Sequence, residues 1–263
     1  MPTKPRDLGP FDDDQTAKAY RSIRRMIVDG GLPPGHRMSH RTLAEQLGIG
    51  RSPVRDAILQ LEAEGLVVQR AQKGILLREL TPRELSEIYE LRLVMEPFFA
   101  ERAALLADPA QLAGMRESCE RLAAVVARPD FESWWRSETD ERQLVYQLDM
   151  QLHSLILAAA GNSVASRIFS SANVLAHTFS WALGRKVDLP SQDRAIVTAA
   201  EHMAIYEAIR DRDPAAARER MRQHVLDAIP SVTSRYAMAV RADEEAAERA
   251  AAAKAAAAVR GRR

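Results

Sequence analysis

A serine–proline pair, Ser52-Pro53, constrains the fold of this chain more than any other feature. It opens an amphipathic stretch whose apolar residues recur at helical spacing, and Gly65 stands where such a helix would stop. Serine favours the N-cap and proline the first helical position, so we predict a helix over 52–64 with Ser52 as its N-cap. Glycine tolerates the left-handed conformation that closes a helix, so Gly65 is expected to end it.

Two helices are predicted before this one. The first runs from about Asp14 to Gly30, where the helical spacing of apolar residues stops at a glycine pair. The second is short, with Ser39 as its N-cap and Gly48 at its end. Residues 1–14 are rich in proline and aspartate without periodicity, so they are predicted to form a disordered arm.

The residues after Gly65 predict a β-hairpin. Two short apolar runs, 66–68 and 75–77, are joined by a polar segment that ends in Gly74. Three helices followed by a hairpin make a winged helix-turn-helix, which we assign to residues 15–79.

Charge is distributed unevenly along the chain, although the net charge is only +1. Residues 15–78 carry 11 basic and 5 acidic side chains, whereas residues 79–240 carry 18 basic and 23 acidic ones. A basic module attracts nucleic acid and an acidic one does not. The distribution therefore favours a DNA-reading unit joined to a unit with another task.

Arginines at the start of the third predicted helix are the first candidates for DNA contact. Arg51 and Arg55 are four residues apart, so they lie on one side of the helix. The guanidinium fork suits the O6/N7 edge of guanine, and helix N-termini attract phosphates. Arg41, in the second helix, and Lys73, at the hairpin tip, are placed for the backbone or an adjacent groove. Any one of these residues, taken alone, is more simply explained as a solvated surface charge, and it is the whole pattern that points to DNA.

The segment 31–78 resembles the DNA-binding domain of GntR-family bacterial regulators. The matching motifs are Pro34-Gly35, Leu43-Ala44-Glu45, Gly48-Ile49, the run RSPVRDA at 51–57 and the run LEAEGL at 61–66. Gly50 departs from the serine or threonine usual in the family. The residues that the resemblance and the pattern together mark as DNA-contacting are Arg41, Arg51, Ser52, Arg55, Lys73 and Gly74.

The second half of the chain reads as helix without a strand pattern, so the fold class is mainly α. A bundle of about six helices is predicted in a domain over 82–240, at 82–107, 109–127, 131–160, 163–186, 191–211 and 214–240. Residues 241–263 are rich in alanine and arginine with few apolar anchors. They predict a solvated helix or a frayed tail.

Histidines in the helical half suggest a metal site. Asp149 and His153 are one helical turn apart, and His202 and His224 lie on the last two predicted helices. One carboxylate and three imidazoles from three helices could surround one divalent ion in a bundle, and they suit Zn²⁺, Ni²⁺, Mn²⁺ or Fe²⁺. The alternative for each histidine is an ordinary packing or surface residue.

The segment 83–230 resembles the FCD type of ligand-binding domain, found in the FadR-like branch of the GntR family. The matches are Asp149-x3-His153 before Gly161-Asn162, then Glu201-His202, then Met221-x2-His224. Two features depart from the family: Leu152 replaces a common phenylalanine, and 130–144, with its two tryptophans, is longer or more polar. The resemblance implies a helical bundle that holds a metal ion on Asp149, His153, His202 and His224.

The resemblance also places Arg92 towards the effector pocket. A metal ion beside an arginine suits a small carboxylate effector. The alternative for Arg92 is a surface arginine paired with Glu96 one turn on. His177 either lines the pocket or serves packing.

We predict a ligand-responsive transcription regulator, a repressor rather than an activator, that binds a pseudo-palindromic DNA operator as a homodimer. No long apolar run or signal segment is visible and Cys119 is a single cysteine, so a cytoplasmic location is expected. The alternatives are a metal-dependent, hydrolase-like enzyme with an accessory DNA-binding domain, and a DNA-architectural protein. We expect no enzymatic activity, because the chain lacks HExxH, a phosphate-binding glycine loop and a Gly-x-Ser-x-Gly motif.

Overall fold

The structure is a computed structural model that describes residues 10–28, 37–70, 74–78, 80–136, 143–169 and 192–230, with the single residues 174, 234 and 249. It divides into two compact units. The first contains residues 1–79 with 167–178, and the second contains 80–166 with 179–263. Within the described residues, no helix combines the length and the apolar character that crossing a membrane requires.

The first unit has three helices and a two-stranded antiparallel sheet, as predicted for a winged helix-turn-helix. In chain order these are α1 (Pro10–Val28), α2 (His40–Leu47), α3 (Arg51–Ala63), β1 (Val67–Arg70) and β2 (Gly74–Leu77). The strands pair in register from Val67 opposite Leu77 to Arg70 opposite Gly74. Met38, just before α2, forms a single antiparallel bridge with Ile75 on the other edge of β2.

Helix α1 begins earlier than predicted. It starts at Pro10, so residues 10–14, assigned above to a disordered arm, are helical. Proline fits the first position of a helix because its missing N–H would have no partner there.

The predicted ends of α2 are confirmed. The Ser39 side chain accepts a hydrogen bond from the Thr42 N–H at 3.0 Å, and Gly48 is left-handed with φ of 62°. Gly65 is left-handed too, with φ of 74°, just beyond the end of α3. These caps satisfy backbone groups that a helix leaves without partners, and they fix the short turns of the motif.

The core of the first unit lies between α1 and α3, which pack together. Ile23 and Ile27 of α1 are fully buried, as are Ile58 and Leu61 of α3. Burial of one apolar stripe on α3 leaves its opposite face to solvent. The predicted inward face of the third helix is therefore confirmed.

The described part of the chain from residue 80 onward is helical apart from turns. The helices are α4 (Pro82–Leu106), α5 (Pro109–Val126), α6 (Phe131–Arg136), α7 (Gln143–Ala159), α8 (163–169), α9 (Gln192–Arg210) and α10 (214–230). The single helix predicted over 131–160 corresponds to α6 and α7, with 137–142 outside the described residues. The predicted tail lies almost wholly outside them.

Capping boxes fix where the first two helices of the second unit begin. Thr81 and Glu84 cap α4 reciprocally, and Asp108 and Gln111 do the same for α5. In each case a proline follows the cap, at a position where its missing N–H costs nothing.

Helices α5 and α7 pack together and both bring residues to a buried aromatic cluster. Phe131, Trp134 and Trp135 of α6 form its centre, with ring centroids 5.6 to 6.0 Å apart. Leu122 of α5 and Leu148 of α7 pack into the same cluster. The two tryptophans that depart from the family pattern are thus core residues of this unit, and Leu148 directly precedes Asp149.

Candidate functional site

The exposed face of α3 carries the arginines predicted to read DNA. Arg51 and Arg55 are both exposed, while Val54 between them is fully buried. Arg55 lies 3.8 Å from the Asp56 carboxylate, and both side chains are about half exposed or more. Such exposed ion pairs are weak, so the guanidinium can turn to another partner at little cost.

Ser52 is not the N-cap of α3. The helix starts at Arg51, the N-cap is Gly50 with φ of −59° and ψ of 154°, and no side chain caps it. Pro53 therefore occupies the third helical position instead of the first. Its lack of an N–H is harmless there, because the first four N–H groups of a helix have no intrahelical partner. Ser52 is exposed in the first turn.

Two other residues assigned to DNA contact lie in different parts of the first unit. Arg41 of α2 is exposed and pairs with Glu45 at 3.1 Å. Gly74, at the start of β2, has φ of 78°, and a Cβ there would overlap the Met38 carbonyl oxygen. The hairpin therefore requires glycine at this position for backbone reasons alone. Lys73 lies outside the described residues.

The second unit brings Asp149, His153, His202 and His224 together. Helix α7 supplies Asp149 and His153, α9 supplies His202, and α10 supplies His224. Each offers one ligand atom, and these four atoms all lie within 4.8 Å of one another. The convergence that the sequence predicted on three helices is present in the fold.

Two distances inside this cluster are close to those around a shared cation. The Nε2 atom of His202 lies 3.2 Å from Oδ1 of Asp149 and 3.3 Å from Nε2 of His224. A tetrahedral ion with bonds of about 2.1 Å separates neighbouring ligand atoms by about 3.4 Å. Three nitrogens and one carboxylate oxygen also suit the divalent metals named above. The residues therefore fit a metal ion.

Burial prepares the cluster for a metal. The three histidines are 1 to 4% exposed. Burial lowers the pKa of His224 to about 4, so its imidazole is neutral at neutral pH, the form that binds metals. The Asp149 side chain is 24% exposed, which makes it the most accessible member of the cluster.

Two carboxylates lie behind the histidines, and the sequence did not indicate that either one contacts the cluster. Oε2 of Glu96 in α4 lies 2.8 Å from Nδ1 of His153, and Oε2 of Glu201 in α9 lies 2.8 Å from Nδ1 of His224. Glu201 stands next to a predicted ligand in the chain, but no spacing indicated that it reaches the following helix.

Arg92 is paired with Glu96, but not at the surface. Both side chains are about 5% exposed or less, with Nε of Arg92 2.7 Å from Oε1 of Glu96. Burial favours a neutral carboxyl group, yet Arg92 and then His153 hold the pKa of Glu96 well below its usual range. The alternative predicted for Arg92, a surface arginine paired with Glu96, is right about the partner and wrong about the exposure, because the pair is buried. His177, the other effector candidate, lies outside the described residues.

Family models match both halves of the chain. The model for bacterial regulatory proteins of the gntR family matches residues 15–77, and the FCD domain model matches residues 87–227. The chain belongs to the GntR family. Its second unit carries the FCD domain, the ligand-binding effector domain of such regulators, so the chain is a DNA-binding transcription regulator.

Curated relatives of this GntR regulator are named as regulators. An HTH-type regulator from the TAR-I ttuE-ttuC' intergenic region of Agrobacterium vitis is 34% identical over 131 residues, 49% of this chain and 75% of the relative. The HTH-type transcriptional repressor GlaR of Escherichia coli is 28% identical over 220 residues, which cover 81% of this chain and 93% of the relative. The gluconate operon transcriptional repressor of Bacillus subtilis is 23% identical over 206 residues, which cover 78% of this chain and 79% of the relative.

Solved structures show the same fold. E. coli McbR/YncC superposes with a TM-score of 0.69 at 18% identity, covering 84% of this chain and 98% of that one. A GntR regulator from Rhodococcus sp. RHA1 gives 0.63 at 20% identity, with the same coverage. At such identities the likeness concerns architecture, and it confirms the mainly helical fold with a small hairpin.

Proposed function

We propose that this GntR regulator is a repressor whose affinity for its operator is controlled by a small carboxylate bound at a metal ion in the FCD domain. The observation that carries the proposal is the convergence of Asp149 with three buried histidines in a domain of the effector-binding type. Three buried imidazoles beside a carboxylate serve no evident purpose in packing alone, because buried polar groups need partners.

The metal ion would be held by Asp149, His153, His202 and His224, and Zn²⁺, Ni²⁺, Mn²⁺ and Fe²⁺ all suit this donor set. When bound, it supplies positive charge that attracts a carboxylate. Asp149 contributes a single negative charge, so a divalent ion keeps a net positive charge at the site. The partial exposure of Asp149 supports entry of the effector from its side.

Arg92 is the second anchor proposed for the effector. Its Nε and Nη2 atoms face Glu96, at 2.7 and 3.5 Å. The Nη1 atom lies on another edge of the planar guanidinium. That edge can bind the oxygens of the effector carboxylate that do not contact the metal ion. The proposal also includes His177 in the pocket lining.

The DNA-contacting residues of the proposal are the exposed side chains of the winged helix-turn-helix. Arg51 and Arg55 would read base edges from α3, with Ser52 and Arg41 on phosphates. Lys73 and Gly74 would bring the wing to the backbone or an adjacent groove. These contacts need no rearrangement of the buried face of α3.

A homodimer follows from the way such a motif reads DNA, because two recognition helices on a two-fold axis match a pseudo-palindromic operator. Exposed apolar side chains on α4 support this state. Leu91, Val94, Phe98 and Leu105 are 37 to 71% exposed, and their spacing of three, four and seven residues is a heptad pattern. Such a seam is typical of helices that pair with a second helix.

The proposed location is the cytoplasm, where a regulator meets both DNA and metabolites. The relatives named above carry regulator names, so the hydrolase-like alternative gains no support. Coupling between effector and operator must be reciprocal: an effector that weakens DNA binding is itself bound more weakly by the DNA complex.

DNA reading by α3 is tested with a duplex selected by the wild-type protein from a random pool. Replacement of Arg51 or Arg55 by alanine should weaken binding by about 1–3 kcal/mol each if the side chain makes bidentate base contacts. Arg116→Ala is the matched control. This exposed arginine lies on α5 of the second unit, where it pairs with Glu120 on the same helix. Unchanged affinity in both α3 variants would contradict the assignment.

A further inference from the structure

Two histidines of the metal cluster each have a carboxylate within 2.8 Å of Nδ1, and the contact at His224 has hydrogen-bond geometry. In His224, Nδ1 faces Glu201 at 2.8 Å while Nε2 faces His202 at 3.3 Å, so the ring spans a carboxylate and the cluster. In His153, Nδ1 faces Glu96 at 2.8 Å. The two histidines lie on different helices, and so do the two glutamates. A carboxylate therefore stands behind each of two histidines of the one cluster, and His224 with Glu201 is the better-formed pair.

Each of the two glutamates is itself paired with an arginine. Glu96 lies 2.7 Å from Arg92 on α4, and Glu201 lies 3.1 Å from Arg194 on α9. An arginine beside a carboxylate favours the ionised form, which only accepts hydrogen bonds. The result is two chains of contact, Arg92–Glu96–His153 and Arg194–Glu201–His224, that both end at the cluster.

An acceptor at Nδ1 determines which nitrogen of a neutral imidazole has a lone pair available to bind a metal ion. The ring has one N–H, and a carboxylate at Nδ1 draws that proton there. The lone pair is then on Nε2, the nitrogen that in His224 points into the cluster. Without the carboxylate, both tautomers are open and the ring can rotate, so part of the population presents an N–H where a metal needs a lone pair.

We propose that Glu201 and Glu96 are positioning residues, which hold His224 and His153 as Nδ1–H tautomers with Nε2 directed to the metal, and that Arg194 and Arg92 hold these glutamates in place. The inference rests on the metal site of the proposed function. It gives Arg92 a structural task at the metal site in addition to any contact with the effector.

Glu201 is the better member to test, because its side chain is 19% exposed whereas Glu96 lies in a fully buried ion pair. The variants are Glu201→Gln, Glu201→Ala and Arg194→Ala. Glu219→Gln is the control, since this exposed glutamate of α10 pairs with Arg222 in a similar way. Thermal unfolding in the presence of chelator checks that every variant folds.

Two measurements apply to each full-length protein: zinc affinity by competition with a chromophoric chelator, and the tautomer of His224 from imidazole ¹⁵N shifts of the metal-free protein. We expect the Glu201 variants to bind zinc about 10–100-fold more weakly. The metal-free Glu201 variants should lose the pure Nδ1–H state, and Arg194→Ala should have a smaller effect. Glu219→Gln should match the wild type in both readouts.

The outcomes separate this inference from the metal site itself. If the wild type binds zinc and the folded Glu201 variants bind it equally well with an unchanged tautomer, the positioning role is wrong and the metal site stands. If the wild type binds no zinc, the proposed metal site fails and the positioning role fails with it.

Discussion

Nε2 of His202 lies 3.3 Å from Nε2 of His224, although the two residues are on different helices. The carboxylate of Glu201 accepts the Nδ1–H of His224, so the nitrogen of His224 that faces His202 is Nε2 with its lone pair. Either His202 donates a hydrogen bond across this gap, or both lone pairs bind one cation. The Asp149 oxygen, 3.2 Å from the same His202 atom, is an acceptor if His202 carries its proton on Nε2 and a third ligand if that nitrogen binds a cation.

Loss of any one of the three histidines should remove or weaken the bound metal. His153→Ala, His202→Ala and His224→Ala each delete one of four ligands, and metal content after dialysis, measured by mass spectrometry, should fall from about one ion per chain to well below it. The control is His40→Ala, since His40 lies at the start of α2 in the other unit. Full metal content in all three variants would show that the metal ion binds at other residues.

The sequence predicted the fold of the first unit well because its turns rest on local rules. Gly48 and Gly65 both adopt the left-handed conformation expected of helix stops. Ser52 misled the prediction because serine before proline is a common N-cap. In the structure Gly50 is the N-cap, so the helix begins two residues earlier than that rule predicts.

Part of the candidate metal cluster could also be predicted, because Asp149 and His153 share a helix face whatever the packing. The contacts behind them could not. Glu201 reaches His224 only because α9 and α10 pack at one particular offset, and neighbouring residues in sequence say nothing about that offset. Arg92 is similar: its partner follows from helical spacing, but its burial depends on the helices that cover it.

Gly74→Ala should destabilise the protein strongly. A Cβ at Gly74 meets the Met38 carbonyl oxygen, and the φ of 78° is itself unfavourable for alanine, so we expect a loss of about 2–4 kcal/mol in the free energy of unfolding. Gly50→Ala is the matched control, since φ there is −59° and a Cβ would be 3.5 Å from the Pro53 ring, an ordinary contact. Urea unfolding compares the two variants, and equal stability would show that the hairpin geometry is wrong.

The exposed face of α4 should control the oligomeric state. Val94 is 71% exposed at the centre of the heptad seam, so Val94→Glu places a charge where a second copy would pack. Sedimentation velocity should show a shift from dimer towards monomer. Val197→Glu, at a residue of α9 that is 46% exposed, tests whether any added surface charge does the same. A Val94→Glu protein that remains fully dimeric would exclude this face as the interface.

Coupling between the metal cluster and the operator is the central claim. The most direct measurement is the Kd for the selected duplex by fluorescence anisotropy, at fixed salt, with zinc-loaded protein and a panel of small mono-, di- and hydroxycarboxylates at millimolar concentration. At least one carboxylate should raise the Kd about 5–150-fold in the wild type, the usual range of allosteric coupling. The same compound should have no effect on His202→Ala. A wild-type Kd that no carboxylate changes, or a response that His202→Ala retains in full, would contradict the account.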